Sequence, residues 1–474
     1  MAIIGSGFGG LGMGARLLQA GIDSFTIYEK ADRVGGTWRD NSYPGAACDV
    51  PSHLYSLSFA PNPNWSRKFP TQPEILGYLE SLPERTGIGS HIRLGTEVSA
   101  VTYRDDSQSW VLSFADSSTE EFDVVVAATG QLNRPHIPDI EGLDSFEGPM
   151  FHSARWDHDV NLEGLDVGVV GIGASAIQFV PAIAAEVASL TLFQRSSNYV
   201  APKGDGPLSD RARRLLRIDP LRKLYRFSIW ARFEARFVAL RRDSWAGRVG
   251  QDRFEKGLAP LVGPLSREAV VPDYPLGCKR ILISNDWYPA ILRPNVEVVT
   301  GGVQRIEADA VVVDGERYRV DALIFGTGFE STSFLAPMVI SGRNGLDLNE
   351  TWSEGAEAHL GITVSGFPNL FMLYGPNTNL GHNSIIFMLE RQITYVLTCI
   401  RSLVGVGGAL DVRPGAQQAS NRRLVRELDR TVWAEACNSW YKTASGKITN
   451  NWSGPTLRYW IRTARPRWSD FDRR

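Results

Sequence analysis

Cysteine is scarce in this chain of 474 residues: Cys48, Cys278, Cys399 and Cys437 stand far apart, with no Cys-x-x-Cys pair. That usage argues against a disulfide framework and against a dithiol flavin reductase, and it predicts reduced thiols in a cytoplasmic protein. Net charge is nearly absent as well. A formal value of −2 gives no global reason to expect nucleic acid as a partner. Long apolar runs are missing too, since Arg or polar residues interrupt every hydrophobic stretch, so neither a signal peptide nor a membrane span is expected. What remains is the balance of a soluble globular chain, 43% hydrophobic and 22% charged. The length exceeds one ordinary core, and two or three domains are expected.

Glycine organises the chain. Met-Ala-Ile-Ile runs directly into Gly5-x-Gly7-x-x-Gly10, followed by Leu11, Ala15 and Leu18 at helical spacing. This order predicts the strand, turn and helix that open a Rossmann-like unit. Its glycines permit a tight turn and bring backbone N–H groups to a pyrophosphate at a helix N-terminus. The first strand is clipped to about four residues, the short end of the usual range. Phe25–Tyr28 reads as the second strand and ends in Glu29, an acid roughly 20 residues on, placed for ribose hydroxyls. Asp166–Val170 leading into Gly171-x-Gly173-x-x-Ala176 repeats the pattern, with Ala at the third position. The strand after it, Ser189–Gln194, ends in Arg195 and Ser196 instead of an acid. Arginine attracts a ribose 2′-phosphate, which favours NADPH over NADH; a solvated strand end is the plainer alternative. The fold class expected is therefore α/β with two dinucleotide-binding units.

Several stretches lie around these units. Residues 35–49 hold too many Gly and Pro for helix or strand and predict a long ordered loop. His53 reads as a structural loop residue. Residues 92–130 predict antiparallel strands over Ile92–Leu94, Val98–Tyr103 and Trp110–Phe114, then a buried parallel strand from Asp123 to the turn at Thr129-Gly130. In residues 146–157, Gly148-Pro149 stops any helix, while His152 and Trp156 are spaced to share a helical face. Physics alone reads this stretch as a linker with a packed Trp and a surface His. Residues 205–250 carry Trp230, Phe233, Phe237 and Leu240 at helical spacing among arginines. They predict a helical insertion with a packed apolar stripe, or alternatively a basic interfacial helix on anionic lipid. Lys279 and Arg280 precede the apolar strand Ile281–Ile283. Asp321–Phe325 and Asn369–Tyr374 are two further buried strands, and a helix begins near Ser384.

The string Phe146-x-Gly148-x-x-x-His152-x-x-x-Trp156-Asp157 resembles the fingerprint of the type I Baeyer–Villiger monooxygenases. Nitrogen- and sulfur-oxidising flavin monooxygenases are similar but carry Tyr where Trp156 stands. Gly36-Thr37-Trp38, then Tyr43-Pro44-Gly45 and Asp49, resemble a second family fingerprint. The segments at Lys279-Arg280 and at Asn438-Ser439-Trp440-Tyr441 also resemble the family's. The resemblance implies an FAD domain in residues 1–140 and 331–474. It implies an inserted NADPH domain in 141–330, carrying a helical insertion at about 205–275. FAD would be held by Gly5, Gly7, Gly10 and Glu29, with Gly36, Thr37, Trp38, Asp49 and Tyr55 near its ring. NADPH would be held by Gly171, Gly173, Ala176, Arg195, Ser196 and Lys279, with Trp440 on the nicotinamide side. Arg280 is implied as the catalytic cation, oriented by Asp49, and His152 and Trp156 as residues coupling the domains. The implied reaction takes a ketone and O2 to an ester or lactone through a C4a-peroxyflavin, with no metal. A nitrogen or sulfur oxygenase is the alternative within flavoproteins, and a flavin-binding redox sensor the alternative outside catalysis.

Overall fold

The computed structural model describes residues 1–435, 437 and 439–473. Two five-stranded parallel sheets organise it, each built outward from a glycine turn. The first sheet runs Leu370–Met372, Val125–Ala127, Ala2–Ile4, Thr26–Tyr28 and Ile92–Arg93 in spatial order. The second runs Val296–Thr300, Ser189–Gln194, Asp166–Val170, Ala322–Phe325 and Met150–His152. In sequence the whole second sheet lies between Val125–Ala127 and Leu370–Met372, which pair in the first. Ala2–Ile4, Val125–Ala127 and Ala322–Phe325 are apolar throughout, as suits strands covered on both faces.

Close approach explains the third position of each glycine motif. A Cβ at Gly10 would stand 1.8 Å from the Gly5 carbonyl oxygen, so the helix Phe8–Gln19 can lie against its strand only if that residue is glycine. Gly5 itself has φ +100°, and a Cβ there would stand 2.7 Å from the Ala128 oxygen. In the second unit Ala176 takes the place of Gly10 and is fully buried beside Gly326. Helices Phe8–Gln19, Gln72–Thr86 and Ile385–Leu403 supply much of the core over the first sheet, including Leu11, Leu79 and Ile393.

The insertion is helical: Asp210–Leu216, Asp219–Ala235, Trp245–Leu258 and Arg267–Val270. Phe233 joins the core around the first sheet, while Phe237 and Leu240 enter a separate cluster with Tyr199 and Trp433. The stripe is therefore packed inward. Arg226 fastens the helix to the first unit by donating to the carbonyls of His53 and Ser56, each at 2.7 Å.

Five expectations change. Residues 150–152 are an edge strand of the second sheet, paired with Ala322–Phe325, so the stretch is part of that sheet and not a linker. His152 and Trp156 share no helix: a single 3-10 turn, Ser153–Arg155, separates them, and His152 is buried, not superficial. Ile92–Arg93 pairs parallel to Thr26–Tyr28, whereas Val98–Arg104, Ser109–Phe114 and Thr119–Phe122 are antiparallel. One helical turn, Thr37–Asp40, interrupts the loop of residues 35–49. Finally, Cys278 and Cys437 form a disulfide across a sequence separation of 159, with only Cys48 and Cys399 free and both buried. Sequence spacing could not reveal that pair, because the fold alone brings its Cα atoms to 6.5 Å. Thiol titration of the chain unfolded without reductant should find Cys48 and Cys399 reactive and Cys278 and Cys437 silent until reduction. Labelling of all four cysteines before reduction contradicts the pairing.

Candidate functional site

A cleft of about 2330 Å³ runs between the carboxyl ends of the two sheets, where open α/β sheets bind ligands. Gly5, Gly7, Glu29, Gly36, Thr37 and Trp38 line its first half, together with Asp49 and Tyr55. Gly171, Gly173, Arg195, Ser196, Lys279 and Arg280 line its second half, and Trp440 stands at its wall. Gly10 and Ala176 do not face the cleft; both are buried where helix meets strand. Asn438 lies outside the described residues.

The first half fits a dinucleotide. Helix Phe8–Gln19 begins at Gly7 with no side-chain cap and no acid in its first turn, so its free N–H groups and positive dipole end meet the cleft. Gly36 has φ +53°, and a Cβ there would come within 3.2 Å of the Gly7 Cα, so two glycine backbones meet at this point. Glu29 accepts from the Ser6 N–H at 3.0 Å, the Ser6 hydroxyl at 2.7 Å and the Ala31 N–H at 3.1 Å. Arg39 Nη1 lies 3.0 Å from Glu29 Oε1, the oxygen that also accepts from Ala31. Burial pushes the Glu29 carboxyl up, but these donors and the Arg39 charge outweigh it and hold the group below its usual value. Ser6 and Arg39 escaped the sequence reading; a residue between two motif glycines and a loop arginine carry no local signal of pairing with Glu29. Trp38 Nε1 donates to the Tyr55 hydroxyl at 3.1 Å, and the rings meet edge to face at 5.7 Å.

The second half fits a phosphorylated dinucleotide. Helix Ala176–Ile183 likewise starts without a side-chain cap or an acid in its first turn. Lys279 Nζ donates to the Ser196 hydroxyl at 2.9 Å. Burial lowers the Lys279 pKa, Asp273 opposes that shift and Arg195 adds to it. Two cations held this close in the cleft wall are relieved by a bound dianion.

The halves meet at one ion pair. Arg280 Nε donates to Asp49 Oδ2 at 2.9 Å, and its Nη2 donates to the same oxygen. Both side chains keep 30% of their surface open, toward the cleft that they line. Asp49 raises the Arg280 pKa above an already high value, so the guanidinium is charged at every working pH. The loop bearing Asp49 is held by the second unit. Ala47 N–H donates to Gln178 Oε1 at 2.8 Å, Tyr43 meets Phe179 edge to face at 6.0 Å, and Gly45 packs on the Gln178 carbonyl. Tyr374, read in the sequence only as the end of a buried strand, also lines the cleft; its hydroxyl donates to Asn379 Oδ1 at 2.8 Å.

His152 lies outside the cleft lining. Its Nδ1 accepts from the Ala154 N–H at 3.0 Å, its ring meets Phe329 edge to face at 5.8 Å, and burial pushes its pKa down to about 4. A neutral imidazole so placed acts in packing, not proton transfer. Trp156 is half-buried and packs on Phe151 and Phe179, against the core of the second unit.

Fold and cleft together define a flavoprotein of the two-dinucleotide class, an oxidoreductase that holds FAD and NADPH. The flavin-binding monooxygenase-like family model matches residues 1–204. A Baeyer–Villiger monooxygenase of Streptomyces coelicolor is 45% identical over 98% of this chain and 91% of its own length. Cyclohexanone monooxygenase from Rhodococcus sp. Phi1, solved with NADP+, superposes with a TM-score of 0.89 at 28% identity, covering 100% of this chain and 98% of that one. A solved complex named OTEMO with FAD and NADP gives a TM-score of 0.90 at 26% identity, covering 100% and 99%. The chain belongs to the Baeyer–Villiger monooxygenases. Among its described residues, no helix is long and apolar enough to cross a membrane.

Glu29 yields a pH prediction. Its folded pKa lies below the unfolded value, so its stabilisation is present above the unfolded pKa and disappears as pH falls through the folded one. Glu29→Gln should lower Tm at neutral pH and flatten the acid limb of the Tm–pH curve. An acid limb of unchanged slope removes Glu29 from that role.

Proposed function

We propose that Arg280 is the catalytic cation of a flavin-dependent Baeyer–Villiger oxygen insertion and that Asp49 positions it. The Arg280–Asp49 pair in the cleft wall, fed by one residue from each half, carries this reading. When bound, FAD and NADPH would supply the reducing equivalents and the activated oxygen. Arg280 holds a permanent positive charge where negative charge develops on the oxygen atoms that react at the carbonyl. Arginine suits this task because it does not lose its proton in proteins. Asp49 fixes the plane of the guanidinium through two donated N–H groups, so little reorganisation is required when the charge forms. Burial holds the phenols of Tyr374 and Tyr441 above their ordinary value, the second at about 12. Near neutral pH both stay uncharged, leaving Arg280 and Asp49 as the charged pair among them.

Glu29 would take the ribose hydroxyls of FAD and the amino end of Phe8–Gln19 its pyrophosphate. Arg195, Lys279 and Ser196 would bind the 2′-phosphate of NADPH, and Trp440 would cover the nicotinamide side. In this reading residues 1–140 and 331–474 form the FAD domain, and 141–330 form the NADPH domain. The substrate is a small-molecule ketone that enters between them, and the product is an ester or lactone.

Two variants test the assignments. Arg280→Ala should cut ester or lactone formation about a hundredfold or more while substrate-independent NADPH oxidation continues. Ester formation at the parent rate, scored by product mass, ends the assignment. Arg195→Ala should narrow the kcat/KM preference for NADPH over NADH by about tenfold or more, the size of a lost charge-assisted hydrogen bond. A preference ratio equal to that of the parent excludes Arg195 from the phosphate site.

A further inference from the structure

The helix Asp219–Ala235 buries Ile229 and Phe233 and turns another face to water. On that face Leu224 is 65% exposed and Phe227 is 59% exposed, with Leu221 and Ile218 exposed before them. Steps of three residues place Leu221, Leu224 and Phe227 as successive neighbours on a strip that winds around the helix, with Ile218 just before its first turn. The apolar surface does not stop at the helix. Phe227 packs on Trp230 with ring centroids 5.5 Å apart, and Trp230 stacks on Phe387 at 5.7 Å. Arg391 then lies 5.6 Å from both the Phe387 and the Trp460 rings. Trp460 is 43% exposed, and Ile461 beside it is 69% exposed. Trp230 Nε1 also donates to Thr456 at the start of helix Thr456–Thr463, so this helix and the insertion helix are fixed in place together. Contiguous apolar exposure on this scale marks a contact face, not scattered surface residues.

Charge indicates the partner. Residues 210–232 hold seven arginines and one lysine against two aspartates, in a chain whose net charge is −2. Asp210 already pairs with Arg213, and Asp219 with Arg222 and Lys223. The local excess is therefore strongly positive. Docking a second copy on the same face would oppose one basic surface to another, which disfavours self-association. Leucines, Phe and Trp bordered by arginines match the boundary between anionic headgroups and acyl chains, where amphipathic helices lie parallel to the membrane.

We propose that this face, centred on Leu224, Phe227 and Trp460, seats the protein peripherally on anionic lipid. The apolar side chains enter the headgroup–acyl boundary, and Arg211, Arg214 and Arg217 engage lipid phosphates.

Co-sedimentation of the FAD-loaded full chain with vesicles tests this. Phosphatidylcholine vesicles containing phosphatidylglycerol should pellet the protein, phosphatidylcholine alone should leave it in solution, and raised salt should release it. The double variant Leu224→Glu/Phe227→Glu should lose binding about tenfold or more while retaining bound flavin and the parent rate on a water-soluble ketone. Exchanging Arg214 for Gln should weaken binding about fivefold, as expected for one basic residue near the surface. A parent protein that stays in solution with phosphatidylglycerol vesicles at low salt overturns the proposal. So does a double variant that pellets like the parent, and so does a vesicle-indifferent parent dimer that the double variant converts to monomer.

Discussion

A guanidinium and a carboxylate that reach each other only across the cleft set the terms for the rest of the molecule. Asp49 comes from a loop of the first unit and Arg280 from the segment leading into Leu282–Ile283 in the second. Neither position is meaningful without the other. An isolated arginine facing a nucleotide cleft would be free to adopt many rotamers, and an isolated aspartate there would repel phosphate. Paired, they form a fixed dipole with both ends open to the space between the sheets. Both glycine turns, the packed loop and the second sheet's position set that pair in the cleft between the two sheets.

How much of this was legible in the sequence depended on range. The glycine turns, Glu29 at a strand end and Arg195 in the corresponding place are local patterns with local causes, and strands and helices stand close to where their periodicity puts them. The apolar strands Val125–Ala127, Ala322–Phe325 and Leu370–Met372 were visible as uninterrupted buried runs. Arg280 and Asp49 were found by resemblance; periodicity reads them as a solvated strand start and a loop acid. What escaped depended on distant partners. The short run Met150–His152 becomes a strand because Ala322–Phe325 offers it an edge, and no pattern within twelve residues contains that fact. The same holds for Cys278 with Cys437 and for Arg39 with Glu29. Gly10 was read as a ligand contact, yet the 1.8 Å approach to Gly5 shows why packing alone requires glycine there.

The helical insertion shows one sequence serving two surfaces. Its stripe at Phe233, Phe237 and Leu240 is absorbed by the interior, as amphipathic spacing predicts. Leu224 and Phe227 belong to another side of the same helix, so the two readings of the segment were not exclusive. A period of 3.6 residues leaves room for a second apolar side when the helix is long enough, and only packing decides which side is covered.

Gln178 gives the Asp49 loop an unusual allegiance. Through Ala47 and Gly45 that loop is tethered to helix Ala176–Ile183, although its chain springs from the opposite layer. Backbone bonds from Cys48 N–H to the Pro70 carbonyl and from Gln72 N–H to the Ala46 carbonyl fasten the same loop to its own layer, so the acid is held from both sides. A slide of one layer past the other would load this loop from both sides, and with it the carboxylate that holds Arg280.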